Sequence, residues 1–359
     1  MTLRILHVAP SFHPEAGSIG VCLSGLFSAL ETRGIESEAL SAGGSEAARK
    51  DVGNDAAQES DGLLATVSQV DIVHLHGCDH GLTRSVARAA RRNGKPYVVS
   101  PHGSLTPGRY NRRTWKEKVQ AVLGKRRWIR RASAIIALNE REAADLRKRR
   151  VHSKVVTLPY GLSFDEYHPD KGVDSTAPAV PNGRCLLMLA PIEPIEGCVV
   201  LLKAFAELGR DAEGWSIILA GSNPGPWRNM LEAAVRRKGG DGRVLFVSAP
   251  DVATQRALLT RASVVAAPSL HIRPPVSIMQ ALASRTPVVA TNLVAPDGLD
   301  GSVRVCDPTR SELREALRSV VRLDDAARVS IGRKARSAAA TLFDWSVLAD
   351  RYVQLYQNL

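Results

Sequence analysis

The sequence predicts an α/β fold with two doubly wound domains facing a cleft. Short apolar, β-type runs alternate with helical patterns in both halves, as parallel strands joined by crossover helices do. Between the halves, residues 169–183 (PDKGVDSTAPAVPNG) have the Pro, Gly, Ser and Thr content of a linker. At 359 residues, the chain is long enough for two domains that each bury their own core.

The first half contains strand candidates separated by helical patterns. The strand candidates are Leu3–Ala9, Glu38–Ser41, Val70–Leu75, Tyr97–Ser100, Ala134–Leu138 and Val155–Leu158. The helical patterns are Val21–Thr32, Thr83–Asn93 and Glu140–Arg150. Residues 43–62 are polar and Gly-rich and predict a loop. The N-terminus predicts a first strand, because a signal peptide needs a longer apolar region and a small-residue cleavage site.

The second half repeats the alternation. The strand candidates are Cys185–Ala190, Ser216–Ala220, Val244–Val247, Val264–Ala267 and Val288–Thr291. The helical patterns are Val199–Leu208, Arg228–Lys238, Thr254–Arg261, Val276–Ala283, a long helix after these and Trp345–Gln357. We therefore predict a first domain at 1–168, a linker at 169–183 and a second domain at 184–340. A C-terminal helix within 341–359 is expected to pack back towards the first domain.

Composition narrows the class of protein. A hydrophobic content of 44% with 23% charged residues is ordinary for a soluble globular protein. No apolar run approaches the roughly 18 residues that span a bilayer. The five cysteines are scattered and form no C-x-x-C pattern. They favour a reducing cytoplasm over a disulfide framework.

Several segments occur in the order found in one large enzyme family. They are HVAPSFHPEAGSIGVCLSGLFSALETRG, DIVHLHG, PYVVSPHGSLTPGRYNRRTWKEK, ASAIIALNEREAADL, KVVTLPYGLSFDEYHP, LLKAFAEL, WSIILAGS, RVLFVSAP, LLTRASVVAAPS, PVVAT and FDWSVLADRYVQLY. Together they resemble the retaining GT-B glycosyltransferases of group 1, often called family 4. DIVHLHG and the segment that follows it resemble members that build exopolysaccharide or lipopolysaccharide. The resemblance extends over nearly the whole chain.

The resemblance implies two Rossmann-like domains and a nucleotide-diphosphate sugar as donor substrate, with no cofactor and no metal. It implies that His102, in SPHG, contacts the donor sugar; the alternative is a strand-terminal histidine bonded to backbone. It places Gly17 near the diphosphate, where a plain strand-to-helix turn is the alternative. It also implies donor binding by Ser222, Ser269 and Gln280.

The chain departs from the family at charged donor contacts. Pro191 stands where the family has an arginine, Glu196 where it has a lysine, and Ile272 and Gln280 where it has two glutamates. Loss of one preorganised charge-stabilising group typically costs ~10²–10³ in rate. Two neighbours of Ile272, His271 and Arg273, could supply positive charge. A drifted loop without a role is the alternative, which we prefer from the sequence alone.

A histidine-rich stretch raises the question of a metal site. His74, His76 and His80 lie close to Cys78 and Asp79. The two histidines of an H-x-H pair on a strand point to one face. The spacing nevertheless matches no standard zinc pattern. We therefore expect no metal.

Residues 109–131 contain ten Lys or Arg and one Glu, which accounts for +9 of the net charge of +12. A cationic helix with tryptophans favours an anionic membrane surface. The candidate membrane-contact residues are Arg112, Arg113, Trp115, Lys116, Lys125, Arg126, Arg127 and Trp128. The alternative is a surface helix whose apolar stripe packs on its own domain. No motif supports nucleic-acid binding.

The sequence thus favours a retaining, hexosyltransferase-type enzyme of class EC 2.4. It would transfer sugar from a nucleotide-diphosphate sugar to a polysaccharide or lipid-linked acceptor, in the cytoplasm or at the inner face of the membrane. The altered contacts leave open a non-catalytic homologue that serves a partner glycosyltransferase. A third hypothesis is a lipid-surface or glycan-binding module that uses residues 109–131.

Overall fold

The computed structural model describes residues 2–12, 18–41, 56–78, 81–105, 127–169, 183–222, 225–237, 239, 242–299 and 301–359. The chain divides into two compact units, Met1–Gly161 together with Trp345–Leu359, and Leu162–Asp344. The chain passes from the first unit to the second after Gly161 and returns after Asp344. Most of the predicted linker, 169–183, lies outside the described residues.

The first unit is a parallel sheet with helices along it. Its strands are β1 (Arg4–Ala9), β2 (Glu36–Ser41), β3 (Ile72–His76), β4 (Tyr97–Ser100), β5 (Ala134–Ala137) and β6 (Val155–Thr157). Its helices are α1 (Ser18–Glu31), α2 (Ala56–Ser68), α3 (Gly81–Arg92), α4 (Glu140–Lys148) and α11 (Trp345–Gln357). The strand order is β2-β1-β3-β4-β5-β6, and every pairing is parallel.

The second unit repeats this architecture. Its strands are β7 (Arg184–Leu189), β8 (Trp215–Gly221), β9 (Val244–Ser248), β10 (Val264–Ala267), β11 (Val288–Thr291) and β12 (Val303–Cys306). Its helices are α5 (Cys198–Ala206), α6 (Trp227–Arg237), α7 (Val252–Arg261), α8 (Val276–Ala283), α9 (Arg310–Val321) and α10 (Asp325–Phe343), with short 3₁₀ turns at Phe164–Tyr167, Pro194–Glu196 and Gly209–Ala212. The order is β12-β11-β10-β7-β8-β9, again parallel throughout.

Apolar strands buried on both faces explain why these sheets form. In the first unit, Leu6, Val73 and Val99 lie in one core with Val86 of α3. In the second, core residues of β7 and β8 pack with residues of α5 and α9. The two parallel sheets confirm the predicted doubly wound α/β class.

Each sheet has one point at which the strand order reverses. It lies between β1 and β3 in the first unit and between β7 and β10 in the second. Loops leave the carboxyl ends of the two central strands in opposite directions there, which opens a crevice that binds ligands in open α/β sheets. These two switch points are where a site is expected.

Two elements differ from the sequence-based expectation. The predicted loop at 43–62 is wrong at its end, because helix α2 begins at Ala56. Val67 of α2 is fully buried and Leu63 and Leu64 pack on the same core, which supplies the stabilisation that the local sequence lacks. Strand β12 was not predicted. It is short, with only its first and last residues buried.

The last helix belongs to the first unit. Trp345 of α11 packs against Gly25 of α1, where an added Cβ would lie 2.2 Å from the indole nitrogen. Arg33, just beyond α1, forms an ion pair with Asp350. In the described part of the chain, no helix is long and apolar enough to cross a membrane.

Candidate functional site

The altered family positions lie around the switch point of the second unit. Pro191 follows the end of β7 by two residues, and Ser269 follows the end of β10 by two residues. Between β7 and α5, the turn Pro194–Glu196 brings Glu196 to the helix N-terminus. The backbone joins the two loops, since Leu270 N–H donates to the Ile195 carbonyl at 2.9 Å.

Glu196 is buried, at 6% exposure, and it is compensated. Arg273 Nε lies 2.7 Å from Glu196 Oε2, and both side chains are about nine-tenths buried. His271 Nε2 lies 3.6 Å from the other carboxylate oxygen. Ser269 Oγ is in hydrogen-bond contact with Oε2 at 3.2 Å. The acid that stands at the lysine position is therefore matched by a cation from the loop after β10.

Gly197 allows this approach. Its φ of +82° is left-handed, and an added Cβ would lie 2.0 Å from the Pro268 carbonyl oxygen. No residue with a side chain fits that space, and only glycine adopts the conformation without strain. The α5 N-terminus that follows has no side-chain cap. Its first backbone N–H groups can bind an anion.

The other residues of this unit that were predicted to contact the donor differ in their solvent exposure. Ser222 is exposed at the end of β8, and its carbonyl accepts from Ile192 N–H at 2.8 Å. Gln280 is 2% exposed and donates through Nε2 to Tyr167 Oη at 2.9 Å. Ile272 is 5% exposed. The roles assigned to these residues stay predictions.

In the first unit, His102 belongs to a buried hydrogen-bonded network at the switch point. His7 of β1 lies abreast of His74 of β3, and His76 lies one pleat further on. His7 Nδ1 is 3.1 Å from His76 Nε2. Tyr160 Oη is 2.8 Å from His76 Nδ1 and 3.0 Å from His102 Nε2.

A second branch ties His74 to the sheet and to the last helix. His74 Nε2 contacts Ser100 Oγ and His74 Nδ1 contacts Tyr356 Oη, both at 2.8 Å. Tyr356 belongs to α11, so the C-terminal helix completes this branch. The network is therefore assembled from β1, β3, the end of β4, the segment after β6 and α11.

His102 lies on a tight turn that a buried acid holds in place. Its φ of +52° is left-handed, an unfavourable conformation for a residue with a side chain. The next amide, of Gly103, donates to Glu142 Oε1 at 2.8 Å, and Leu138 N–H donates to Oε2 at 2.9 Å. Burial raises the pKa of Glu142, and these two backbone N–H groups act against that rise.

Burial keeps His7, His74 and His76 neutral. It lowers the pKa of His7 from 6.5 to about 3. The pKa values of His74 and His76 lie well below 6.5, first because of burial and then because of neighbouring histidines. Burial raises the pKa of Tyr160 well above its usual value.

The three strand histidines are close enough to suggest a metal, since one nitrogen of each of His7, His74 and His76 lies within 4.8 Å of the others. In this structure, both nitrogens of His74 and of His76 already make hydrogen bonds. A metal would have to displace several of these contacts. The expectation of no metal stays a prediction.

Several predicted residues lie outside the described residues. These are Gly17, Asp79, His80 and the membrane candidates Arg112, Arg113, Trp115, Lys116, Lys125 and Arg126. Of the remaining membrane candidates, Arg127 is exposed. The prediction that Trp128 contacts a membrane is wrong. Trp128 is 7% exposed and lies in the first unit's core, where its carbonyl accepts from the Tyr97 hydroxyl. Its indole is therefore not available to a surface.

The sequence did not identify His7, Tyr160, Tyr356 or Glu142 as parts of the site. Two signals were present. The strand that contains His7 precedes the H-x-H strand in the same sheet, and Tyr160 follows a predicted strand end. What the sequence could not give is the register that sets His7 beside His74.

Comparison with solved structures defines the class of fold. Sucrose-phosphate synthase from Thermosynechococcus elongatus has a TM-score of 0.75 at 18% identity, with 99% of this chain and 98% of that chain covered. HepE from Anabaena, in complex with UDP and glucose, has a TM-score of 0.75 at 17% identity, with coverage of 99% and 100%. The catalytic domain of Arabidopsis thaliana starch synthase IV, bound to ADP and acarbose, has a TM-score of 0.70 at 14% identity, with coverage of 100% and 99%. The chain has the GT-B fold of these glycosyltransferases.

Family models cover both units. Residues 17–161 match the glycosyl transferase 4-like domain, and residues 183–322 match the glycosyl transferases of group 1. The chain belongs to the group 1 glycosyltransferase family. Among curated protein sequences, none matches the chain.

Proposed function

We propose that the protein is a retaining glycosyltransferase that transfers a sugar from a nucleotide-diphosphate sugar to a lipid-linked or polysaccharide acceptor at an anionic membrane surface. The observation that carries the proposal is the ion pair between Glu196 and Arg273 at the second unit's switch point. The main argument against a donor site was that Glu196 would place a negative charge beside a phosphate. The ion pair with Arg273 neutralises that charge. The relatives HepE and starch synthase IV, bound to UDP and ADP, support a nucleotide donor.

In this proposal, the diphosphate lies at the uncapped N-terminus of α5, next to Gly197. Backbone N–H groups and the helix dipole favour an anion there without a lysine side chain. Ser222, exposed at the end of β8, is in reach of solvent and so of a ligand. His102 contacts the donor sugar from the neutral network of the first unit.

An arginine face on α3 supports the membrane part of the proposal. Arg84, Arg88, Arg91 and Arg92 are exposed, while Val86 and its buried neighbours face the core. The spacing places the four guanidinium groups on one side over about 12 Å of helix. Among the described residues, none of the four has an ion-pair or hydrogen-bond partner. Unpaired cations at a surface contribute about 1 kcal/mol each to binding of anionic lipid.

The first unit has three further exposed arginines outside α3. Exposed Arg127, Arg130 and Arg131 are the last cations of the basic segment. Burial raises the pKa of Tyr97 to about 12, and the charges of Arg91 and Arg131 act against that rise. The described part of the first unit therefore has a positive surface independent of Trp128.

Vesicle flotation tests the arginine face. The variant with Arg84, Arg88, Arg91 and Arg92 all changed to Gln is expected to lose binding to phosphatidylglycerol-containing vesicles, and wild type is expected not to bind pure phosphatidylcholine. A matched control exists on α9, where Arg310, Arg314 and Arg318, with Arg322 just beyond, are paired with Glu207, Asp211 or Glu315. The same changes there remove equal formal charge and should leave binding intact. Equal loss in both variants would reject the arginine face as the contact.

The alternative is a non-catalytic homologue that serves a partner glycosyltransferase. One observation favours it: the Gln280 amide is bonded within its own unit, so its full hydrogen-bonding capacity is not available to a donor.

A transfer assay decides between the two. Purified protein is incubated with UDP-, GDP- and ADP-sugars and a membrane extract, and nucleotide release and sugar transfer are measured. The proposal predicts turnover with at least one donor, lowered about 100-fold or more by His102→Ala and little changed by His152→Gln, a histidine outside the network. Folded protein without turnover on any donor would support the non-catalytic alternative.

A further inference from the structure

Arg273 is a buried arginine whose hydrogen-bond donors are unused. It lies on the loop between β10 and α8 and is 9% exposed. Nε lies 2.7 Å from Glu196 Oε2, but its N–H is not directed at that oxygen, so the two groups form an ion pair without a hydrogen bond. In the described part of the chain, no group accepts from Nη1 or Nη2 of Arg273 either. All five N–H donors of the guanidinium therefore lack an acceptor among these residues.

A buried guanidinium in this condition needs an explanation. Buried polar groups of native proteins are almost always hydrogen-bonded, and the exceptions are typical of functional sites. An arginine cannot avoid the cost by losing its proton. The carboxylate of Glu196 balances the charge of Arg273, but this balance does not satisfy donors that need an acceptor in a set direction.

The outer edge of the guanidinium is open to a ligand. Nε is a fully buried atom without a hydrogen-bond partner. Nη1 and Nη2 are not among the fully buried unpartnered atoms of the described residues, although neither has a partner there. They therefore retain solvent access, and an incoming acceptor can approach them while Nε stays against Glu196.

The loops around Arg273 hold it beside the N-terminus of α5. The two residues that follow it are both proline, and they restrict the backbone before α8 begins. Ser269 contacts Glu196 Oε2 at 3.2 Å, which fixes the carboxylate that faces the arginine. Glu196 directly precedes Gly197, at the uncapped start of α5. The guanidinium and the free N–H groups of the helix thus lie on the two loops that meet at the switch point.

A diphosphate matches both sets of donors. The N–H groups of a guanidinium form a planar fork that binds two oxygens of one phosphate. Backbone N–H groups at a helix N-terminus bind further phosphate oxygens. A single carboxylate has two oxygens and would satisfy only one of the two sets.

We propose that Arg273 binds the diphosphate of the nucleotide-sugar donor through its Nη1 and Nη2 groups. The positive charge of the site is then supplied by the loop after β10, because Pro191 and Glu196 leave the loop after β7 without a cation. A fixed guanidinium there would also stabilise the charge that develops on the departing diphosphate. The identity of the ligand rests on the proposed function, whereas the unused donors of Arg273 do not.

Calorimetric titration with inorganic pyrophosphate tests the proposal without a nucleoside or a sugar. Arg273→Lys keeps a cation opposite Glu196 but lacks the planar fork, and the two side chains are not equivalent at a bidentate site. We expect its Kd for pyrophosphate to rise about 10- to 100-fold, as for loss of a hydrogen bond to a charged group. The matched control is Arg261→Lys, the same change at the exposed last residue of α7. It should leave the Kd unchanged.

A second variant covers the case in which Arg273→Lys does not fold. Glu196→Gln combined with Arg273→Gln removes both buried charges together, which proteins tolerate better than removal of one. This double variant should show the same loss of pyrophosphate binding.

Three results would overturn the proposal. Arg273→Lys that binds pyrophosphate as tightly as wild type would mean that Arg273 only balances the charge of Glu196. Equal weakening in Arg261→Lys, or wild-type protein that binds no pyrophosphate, would also contradict it. The proposed function fails separately: binding that depends on Arg273, in a protein that turns over no donor sugar, would reject the transferase and leave the arginine assignment standing. Donor turnover that Arg273→Lys leaves unchanged would do the reverse.

Discussion

Glu196 illustrates how one residue misleads when its partner is distant in the sequence. A carboxylate stands at the lysine position, and Arg273, 77 residues later, lies 2.7 Å away. The sequence shows the reversed sign but not the compensation. We preferred a drifted loop for His271 and Arg273, whereas the structure gives both a charged neighbour in Glu196.

Removal of one member of this pair should cost far more than exchange of both. Arg273→Met leaves a buried carboxylate without its cation, for which we expect a loss of about 3–5 kcal/mol in the free energy of unfolding. The double variant Glu196→Lys with Arg273→Glu restores an ion pair of opposite polarity and should recover more than half of that loss. Denaturant unfolding of the second unit measures both. If the double variant lost as much unfolding free energy as its two single changes together, a direct pairing of Glu196 with Arg273 would be contradicted.

Helices show which features the local sequence predicts well. The periodicity of α3 was clear, because its apolar residues recur at helical spacing between exposed arginines. Helix α2 was missed because its first turns are polar, and it is packing against the first unit's core that stabilises it. Burial of Trp128 was equally hidden, since a tryptophan in a basic run is also typical of a membrane helix.

Two helix glycines should respond in opposite ways to alanine. Gly25→Ala places a Cβ 2.2 Å from the Trp345 indole, at the contact of α1 with α11. We expect destabilisation in spite of alanine's better helix propensity. Gly62→Ala in α2 meets nothing within 4 Å and should stabilise by up to about 1 kcal/mol. Thermal unfolding compares the two, and stabilisation by Gly25→Ala would show that α11 does not pack here.

At the scale of the molecule, alternation and motif order predicted the doubly wound class and the family. They could not predict the buried network of the first unit. His7, His76, His102 and Tyr160 lie on four segments, and their meeting depends on strand register and on turns that only the folded chain defines. The charge balance of the second unit depends in the same way on two loops.

The buried histidines should make the first unit sensitive to acid. The unfolded chain takes up protons below pH 6.5, whereas His7, with a pKa of about 3, does not. The contribution of these histidines to the free energy of unfolding is therefore fully present above pH 6.5 and is lost as the pH drops towards 3. For His7 alone the loss is about 5 kcal/mol. Hydrogen exchange in β1 and β3, measured at pH 7 and pH 5, reports this loss. His7→Gln should show a smaller loss than wild type, and an equal loss would contradict the assignment.

Calorimetric titration with nucleoside diphosphates tests the central claim most directly. UDP, GDP and ADP are compared with the corresponding monophosphates, on wild type and on Ser222→Tyr, which fills the exposed end of β8. Ser28→Tyr, at an exposed position of α1, is the control. We predict a micromolar Kd, about −8 kcal/mol, for at least one diphosphate, weaker binding of its monophosphate, and loss only in Ser222→Tyr. Folded protein that binds no diphosphate, or binding that Ser222→Tyr leaves unchanged, would contradict a nucleotide-sugar site at this switch point.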